Sequence, residues 1–532
     1  AGQSGKGSIP CVVGDGNDYV FEAKLLAKSG SATPFIGVAD AESPTLSESQ
    51  PTADYRSYAS GSHWVSNGQL DGLNANHSYT NQEKASGFSS TFTTNDVIGV
   101  VVKNSGAVHF YKNGSQVFIS SDQTGISVLP AGEWFPSFGQ ATGGSQTSQW
   151  EFRFGDDMSH TYGTAVKLTT STLNTAQSPT IEDGSTAFKA LTYAGSNSAA
   201  AITGVGFSPD LLWIKNRSAT ADHTLFDQVR GTGATLYSSL MNAEDTNTTK
   251  MSAFGVDGFS LGGNYSEVNK ASNNFISWNW DADTAFSNDA GSNGATIPSS
   301  GRVNTTAGFS IVSWVGTGVN GTISHGLGSL IPKWVIVKNR TVTSGWLVGH
   351  TAQPSPFSVE LRLDENGSPT STDTTYFQNT APVANVFSVG TAQNTNGSTS
   401  ATHNMIAYCW AEIEGYSKFG SYEGNGNATN GPYVHLGFTP QWLMIKGVDQ
   451  SAQSWMIYDT AREPNNLKDL AADTGNAEDQ DMGSNGPDFL SNGFKFQSSG
   501  TSQGNLNVQD KTFIYMAFAE HPFAGITPAT AI

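Results

Sequence analysis

Gly437-Phe438-Thr439-Pro440-Gln441-Trp442-Leu443-Met444-Ile445-Lys446 decides how the chain is read, because versions of it occur at two earlier places. The first is Gly206-Phe207-Ser208-Pro209-Asp210-Leu211-Leu212-Trp213-Ile214-Lys215. The second is Gly328-Ser329-Leu330-Ile331-Pro332-Lys333-Trp334-Val335-Ile336-Val337-Lys338. Each passes from a turn through a proline into an apolar run that stops at lysine, six residues after the proline in every copy. Proline is tolerated at a strand's first residue, and an unbroken apolar run suits a strand buried on both faces. The run is therefore expected to be a central strand, made three times.

Three further landmarks keep the same order around it. Each copy opens with a strand that ends at glycine: Phe188 to Gly195, Phe309 to Gly316 and Phe419 to Gly424. The opening phenylalanine precedes the lysine by 27, 29 and 27 residues. A second strand follows the lysine, around Phe226, Leu347 and Ile457. Gly258-Phe259, Val386-Phe387 and Gly493-Phe494 mark a later strand, and an apolar strand closes each copy at Trp280, Trp410 and Phe518. A period of roughly 110 residues is too long for a solenoid unit but long enough for a β-sandwich. The expected fold is all-β: tandem β-sandwiches, with one unit at 1–167 and repeats at 168–300, 301–416 and 417–532. Asp283–Thr306, rich in Ser, Asn and Gly, reads as a linker, while Glu414–Lys418 joins the last two repeats closely. Short helices are expected at Leu225–Val229 and Ala234–Asn242.

Composition narrows the function. The 532 residues carry a formal net charge of −19 with only 13% charged residues. That excludes the basic stripe of a nucleic-acid binder and gives no attraction to anionic membranes. No apolar run approaches the roughly 18 residues of a membrane helix, so no membrane insertion is expected. Cys11 and Cys409, far apart in sequence, make no disulfide framework and read as small buried residues. The chain opens at Ala1, which predicts processing or truncation upstream.

The 1–167 unit alternates in the strand manner. Its order is Tyr19-Val20-Phe21-Glu22, Ile36-Gly37-Val38, Asp96-Val97-Ile98-Gly99-Val100, Phe110-Tyr111-Lys112-Asn113-Gly114, Trp134-Phe135-Pro136-Ser137-Phe138 and Phe152-Arg153-Phe154-Gly155. This order resembles a SPRY domain, a curved two-sheet sandwich whose loops bind protein or glycan. Phe110, Phe152 and Phe154 alternate with polar or solvent-facing positions in their strands and are expected to be buried in this sandwich. The resemblance implies strand sequence ahead of Tyr19, where only eighteen residues stand, so an open sheet edge that takes a strand from another chain is expected.

The repeats have their own resemblance. Gly415-Tyr416-Ser417-Lys418-Phe419-Gly420-Ser421-Tyr422-Glu423-Gly424, Phe489-Leu490-Ser491-Asn492-Gly493-Phe494-Lys495 and Tyr515-Met516-Ala517-Phe518-Ala519-Glu520-His521-Pro522-Phe523 resemble modules of tailed-bacteriophage virion appendage proteins. That resemblance implies a non-enzymatic structural and adhesive protein at the virion surface, such as a tail fibre. Its partners would be other virion proteins and a host cell-surface glycan or protein, and a homo-oligomer, a trimer first, would be expected. A capsid-surface decoration protein and a glycan-cleaving appendage enzyme are the alternatives.

Candidate chemistry is sparse. Gly500-Thr501-Ser502-Gln503-Gly504 matches a nucleophile elbow, but its flanks read as a hairpin loop rather than strand and helix. Asp227/Arg230 and Asp459/Arg462 match between copies one and three, with His350 and Gln353 at those places in copy two. They read as local ion pairs holding a turn. His325 and His435 stand at different offsets from their prolines, against a shared metal site, and no cofactor is implied. Asp15-Gly16-Asn17-Asp18 reads as a turn, with a calcium loop as the alternative. The Asn-x-Ser/Thr triplets at Asn113, Asn216, Asn339 and Asn427 read as loop composition. The segment from Ala53 to Asn67, read as a long non-strand stretch, holds Tyr55, Arg56, Tyr58, His63 and Trp64 among small polar residues. Paratope loops have that composition; aromatics tucked into a core loop would give the same one.

Overall fold

A computed structural model describes residues 4–6, 11–14, 16–28, 34–40, 61–65, 70–73, 79–80, 91–119, 128–140, 148–153, 158–162, 166–167, 181, 183–246, 248–369, 372–427, 430–450, 452–462, 468–478, 486–496 and 506–519. The protein is all-β, as expected, and it divides into two compact units, Ala1–Ser178 and Pro179–Ile532.

The first unit is a sandwich of two antiparallel-dominated sheets, one of seven strands and one of six. Its core joins Ile36, Val38 and Trp134 from one sheet to Phe21, Val100 and Phe110 from the other. Phe110 is buried as expected; the side chain of Phe152 and all of Phe154 lie outside the described residues. The expected gap ahead of Tyr19 is corrected. Ser4–Lys6 and Cys11–Val13 are strands, and both pair antiparallel with Gly132–Gln140. Ser4-Gly5-Lys6 has no apolar pattern, so nothing in it signalled a strand.

The second unit contains the three repeats. Repeats 1 and 3 each have a five-stranded sheet in the order opening, closing, proline, second and short strand. In repeat 1 these are Phe188–Ala194, Asn274–Trp280, Leu211–Asn216, Thr224–Asp227 and Leu236–Tyr237. In repeat 3 they are Ser417–Glu423, Thr512–Phe518, Trp442–Gly447, Met456–Asp459 and Leu470–Ala471. Repeat 2 has the same first four, Phe309–Gly316, His403–Ala411, Pro332–Asn339 and Leu347–His350. A small sheet of two or three strands belongs to each repeat, and one cluster of apolar side chains joins it to the main sheet: around Phe259, around Phe387 and around Phe494.

Trp213, Trp334 and Trp442 do lie on equivalent strands, between the closing and second strands. The residue match is finer than the tryptophans suggest. Leu211, Trp334 and Trp442 are the residues opposite the closing aromatics Trp280, Trp410 and Phe518. Trp213 stands two positions on, beside Trp278. The opening strands shift similarly: Phe188, Phe309 and Ser417, not Phe419, face those closing aromatics.

Three expectations are overturned. Leu225–Val229 and Ala234–Asn242 are not helices; the strand Thr224–Asp227 overlaps the first and the strand Leu236–Tyr237 lies in the second. Packing against a sheet outweighs weak local propensity. Asp283–Thr306 is not a bare linker. Thr284–Asn288 and Ser299–Asn304 form a hairpin whose second strand pairs with the opening strand of repeat 2. That opening strand has no charged residue, whereas its mates carry Lys189, Lys418 and Glu423 at the sheet edge. Charge blunts an edge; a neutral edge needs cover. Finally, Gly61–Val65 is a strand inside the stretch expected to have none, paired with Pro34–Asp40 and Leu70–Leu73.

The faces of the three main sheets turned away from the small sheets meet in one core. Phe188 stacks on Phe518 at 5.2 Å, Trp280 meets Trp410 at 6.0 Å and Trp442 at 5.8 Å, and Trp334 meets Phe419 at 6.5 Å. Aromatic pairs at such separations add roughly 0.5–1.5 kcal/mol each beyond the area they bury.

Candidate functional site

One set of polar side chains inside this unit gathers where one repeat meets the next. Opposite the lysine of each proline strand, the second strand is preceded or begun by His223, Trp346 or Trp455. Trp346 Nε1 donates to the Tyr237 and Leu240 carbonyls of repeat 1 at 2.9 and 3.1 Å. Trp455 Nε1 donates to the Arg362 carbonyl of repeat 2 at 2.8 Å. His223 Nε2 donates to the Ala471 carbonyl of repeat 3 at 3.1 Å, while its Nδ1 accepts from Trp213 Nε1. Two residues earlier, the amides of Ser344, Gln453 and Ala221 donate to the Met241, Asn366 and Gly475 carbonyls. Repeat 2 thus grips repeat 1, repeat 3 grips repeat 2, and repeat 1 grips repeat 3. The contacts close into a pseudo-threefold ring.

The repeated lysines sit in these joints. Lys338 Nζ donates to the Met241 carbonyl at 2.9 Å and also to Ser344, and lies 5.8 Å from the Trp346 ring. Lys446 donates to the Gln453 carbonyl and lies 5.6 Å from the Trp455 ring. Lys215 donates to Asn216 and across the joint to Gly475. Burial disfavours their charge, lowering Lys215 to about 7 and Lys338 and Lys446 to about 8.

The expected ion pairs are present, and they reach further than a turn. Arg230 Nε meets Asp227 Oδ2, and Arg462 Nε meets Asp459 Oδ2, each at 2.5 Å with both side chains fully buried. Asp227 also accepts from the Tyr408 hydroxyl of repeat 2 at 2.7 Å, and Asp459 from Trp278 Nε1 of repeat 1 at 3.0 Å. Glu244 then links Arg230 to Arg340 of repeat 2, and Glu478 links Arg462 to Arg217 of repeat 1. At the remaining joint His350 takes the aspartate's place. Its Nδ1 accepts from the Ala352 amide and its Nε2 donates to the Tyr515 carbonyl of repeat 3 at 3.3 Å.

A fifth landmark escaped the sequence reading. Asn269, Asn396 and Asn507 are buried and each clamps the loop after an opening strand. Their Oδ1 atoms accept from the amides of Ser196, Thr317 and Asn425, and their Nδ2 atoms donate to the carbonyls of Ser198, Val319 and Asn427. The offset from loop to clamp changes from copy to copy, so no fixed spacing pointed to it.

The other candidates are placed as follows. Tyr55, Arg56 and Tyr58 lie outside the described residues, as does the Gly500–Gly504 pattern. His63 and Trp64 lie on the Gly61–Val65 strand, paired with Gly37 and Ile36 on one side and with Asp71 and Leu70 on the other. His325 is buried, with Nδ1 accepting from the Leu327 amide and Nε2 donating to the Val383 carbonyl. His435 bonds the Tyr433 hydroxyl at 3.2 Å. Asp18 accepts from Lys103 and the Asn104 amide, while Asn104 Oδ1 accepts from the Gly14 and Gly16 amides; Asp15 is outside the described residues. Asn216 and Asn339 are not loop filler: both are buried at the ends of proline strands, where Oδ1 accepts from the amides that begin the next turn. Among the described residues no group of three or more His, Cys, Asp or Glu side chains could hold a metal ion.

In the first unit one carboxylate stands out. Glu22 is buried and accepts from the Ser159 and His160 amides, the Ser159 hydroxyl, His160 Nδ1 and the Tyr162 hydroxyl, all at 2.6–2.9 Å. Burial would raise its pKa; the donors, Tyr162 first, outweigh burial and hold it below the usual range. Tyr162 in turn packs so closely on Gly99 that a Cβ there would lie 2.4 Å from the ring. Glu22 therefore fastens residues 158–162 over the sheet.

No curated protein matches the chain. Among solved structures, the SPRY domain of human HERC1 aligns with 30% of this chain and 84% of its own, at 17% identity and a TM-score of 0.21, a likeness too slight to carry an argument. A family model matches residues 183–522, which contain the described strands of all three repeats, and the chain belongs to that family, described as Domain of unknown function (DUF7483).

Proposed function

We propose that the chain is a non-enzymatic structural and adhesive component of a bacteriophage virion, a tail fibre or receptor-binding appendage at the particle surface. The observation that carries this reading is the closed three-repeat ring. Lys215, Lys338, Arg230, Arg462, Asp227, Asp459, His223 and His350, all buried or nearly so, lie at joints between repeats, where carbonyls, carboxylates and amides engage them. Such a body is a rigid mount. The SPRY-like order of the first unit supplies the recognition part, with a host glycan or protein as its ligand and Tyr55, Arg56, Tyr58, His63 and Trp64 as its candidate contacts. Other virion proteins are the partners that hold the mount.

The test is immunogold labelling of purified phage particles that carry this gene, with host-cell binding by the purified chain. Label on tails or fibres together with saturable binding supports the proposal. Label on capsids favours a decoration protein. Absence from particles overturns both readings. Glycan depolymerisation by the purified chain would sink the non-enzymatic reading. Native mass measurement separates the homotrimer expected from the appendage resemblance from a single chain that already holds three repeats.

A further inference from the structure

Every joint has a gripping side and a receiving side. The gripping side carries the second residue after the repeated lysine, Arg217, Arg340 or Val448, and the residue two before the closing aromatic, Trp278, Tyr408 or Met516. The receiving side carries the last residue of the second strand, Asp227, His350 or Asp459, and the residue three further on, Arg230, Gln353 or Arg462. It also carries the residue three after the gripped carbonyl of Met241, Asn366 or Gly475, which is Glu244, Pro369 or Glu478. Repeats 1 and 2 therefore grip with an arginine and a ring donor, and repeat 3 grips with an aliphatic side chain and a thioether. Repeats 1 and 3 receive with Asp, Arg and Glu, and repeat 2 receives with His, Gln and Pro.

Around the ring the sets are matched. Arg340 meets Glu244 at 2.7 Å and Arg217 meets Glu478 at 2.9 Å, while Tyr408 donates to Asp227 and Trp278 to Asp459. Val448 and Met516, which bring neither a charge nor a donor, fall on the one receiving side that asks for neither. The chain connections do not by themselves choose this arrangement. Each repeat ends at its closing aromatic, and those rings meet at the centre: Trp280 lies 6.0 Å from Trp410 and 5.9 Å from Phe518. A chain that leaves a repeat at the centre has both other repeats at hand. In a ring running the other way, repeat 1 would grip repeat 2, repeat 2 would grip repeat 3 and repeat 3 would grip repeat 1. Arg217 would then face Pro369, Glu244 would face Val448 and Asp227 would face Met516. Two of the three joints would be mismatched, with buried charge stripped of partners.

We propose that Val448 and Met516, with His350, Gln353 and Pro369, form a key that fixes the direction in which the repeats follow one another around the ring. The partner that the gripping face of repeat 3 fits is repeat 2 alone; the gripping faces of repeats 1 and 2 fit only a receiving side with an Asp–Arg pair and a glutamate. Discrimination comes as much from the wrong pairing being penalised as from the right one being favoured. The inference does not depend on the virion reading.

Dilute refolding of the full chain, followed by thiol crosslinking, tests the key. Cys11 and Cys409 are buried, so an added pair supplies the reactive thiols. Gln453→Cys with Asn366→Cys reports repeat 3 on repeat 2, because the Gln453 amide donates to the Asn366 carbonyl at 3.0 Å. Gln453→Cys with Met241→Cys reports repeat 3 on repeat 1. In the natural background the first pair should crosslink in nearly every chain and the second in almost none. Val448→Arg with Met516→Tyr leaves one mismatched joint in either ring, so the second pair should rise to about the yield of the first. Adding His350→Asp, Gln353→Arg and Pro369→Glu leaves no mismatch in either ring and should give the same even split. A second pair that stays at background in both variants shows that the connections set the direction, and overturns the key. A second pair that already crosslinks in the natural background overturns it too. Should the two-residue variant not fold, the five-residue one decides, since its joint copies the set present at the other two; its failure to fold would also overturn the proposal.

Discussion

Two of the ring's joints hold a buried Asp–Arg pair and the third does not. Where repeat 1 meets repeat 2, and where repeat 3 meets repeat 1, an Asp–Arg pair runs through a glutamate to a second arginine. Where repeat 2 meets repeat 3, His350 and Gln353 stand instead, and Val448 replaces the second arginine. The closing strand explains the change. Tyr408 and Trp278 offer a donor to an aspartate, but the equivalent residue in repeat 3 is Met516. An aspartate at 350 would face a thioether, a weak acceptor with nothing to donate. Histidine donates instead, and reaches the Tyr515 carbonyl. The same geometric slot thus tolerates opposite chemistries, provided each buried group keeps a partner.

The largest test of that contrast is removal of one charge. Arg462→Ala takes the paired cation from buried Asp459 and should cost about 3–5 kcal/mol, while Glu478 keeps Arg217. Gln353→Ala, at the matching place, should cost about 1 kcal/mol or less, because the His350 amide loses a neutral 3.4 Å hydrogen bond and no charge is left unpaired. Denaturant unfolding of the two variants measures both, and equal losses would break the comparison.

Acid should strain the histidine joint next. Burial lowers His350 to about 3, so it stays neutral in the fold while the unfolded chain takes up a proton below about 6.5. Its contribution is complete above that value and is lost as pH falls from about 6.5 toward 3. At pH 5 the loss amounts to about 2 kcal/mol. His350→Gln should lose less stability between pH 7 and pH 5 than the natural chain. An identical slope in the two would show that this histidine titrates normally.

The smallest expected effect is at alkaline pH. Lys446, lowered by burial to about 8, sheds its proton in the fold before the unfolded chain does. Stability should therefore rise from about pH 8 toward 10.5, by about 1 kcal/mol at pH 9. Lys446→Met should show a rise smaller by about 1 kcal/mol at pH 9, the remainder coming from Lys215 and Lys338, measured by the same unfolding experiment across pH.

The repeats were readable in the sequence because proline entry, the apolar run and the terminal lysine are local signals. The ring was not. Nothing along the chain says that Phe188 stacks on Phe518, 330 residues away, since sandwiches in a row and sandwiches in a ring need the same buried faces. The joints were half visible. Asp227/Arg230 and Asp459/Arg462 showed as pairs, but Tyr408 and Trp278, their partners from other repeats, looked like ordinary strand aromatics. The Asn269, Asn396 and Asn507 clamps were hidden because loops of different length intervene. In the first unit, Ser159-His160-Thr161-Tyr162 has meaning only once Glu22 is beside it.

A closed ring also sets a schedule. Repeat 1 ends at Trp280, but the face it must bury includes Phe518, which the ribosome adds 238 residues later. At roughly 5–20 residues per second that is a wait of about 10–50 s with aromatic surface uncovered. A linear array could settle each repeat as it emerged and fray from either end. Here the first repeat made must wait for the last, and in the finished ring neither is a terminus from which unravelling can start.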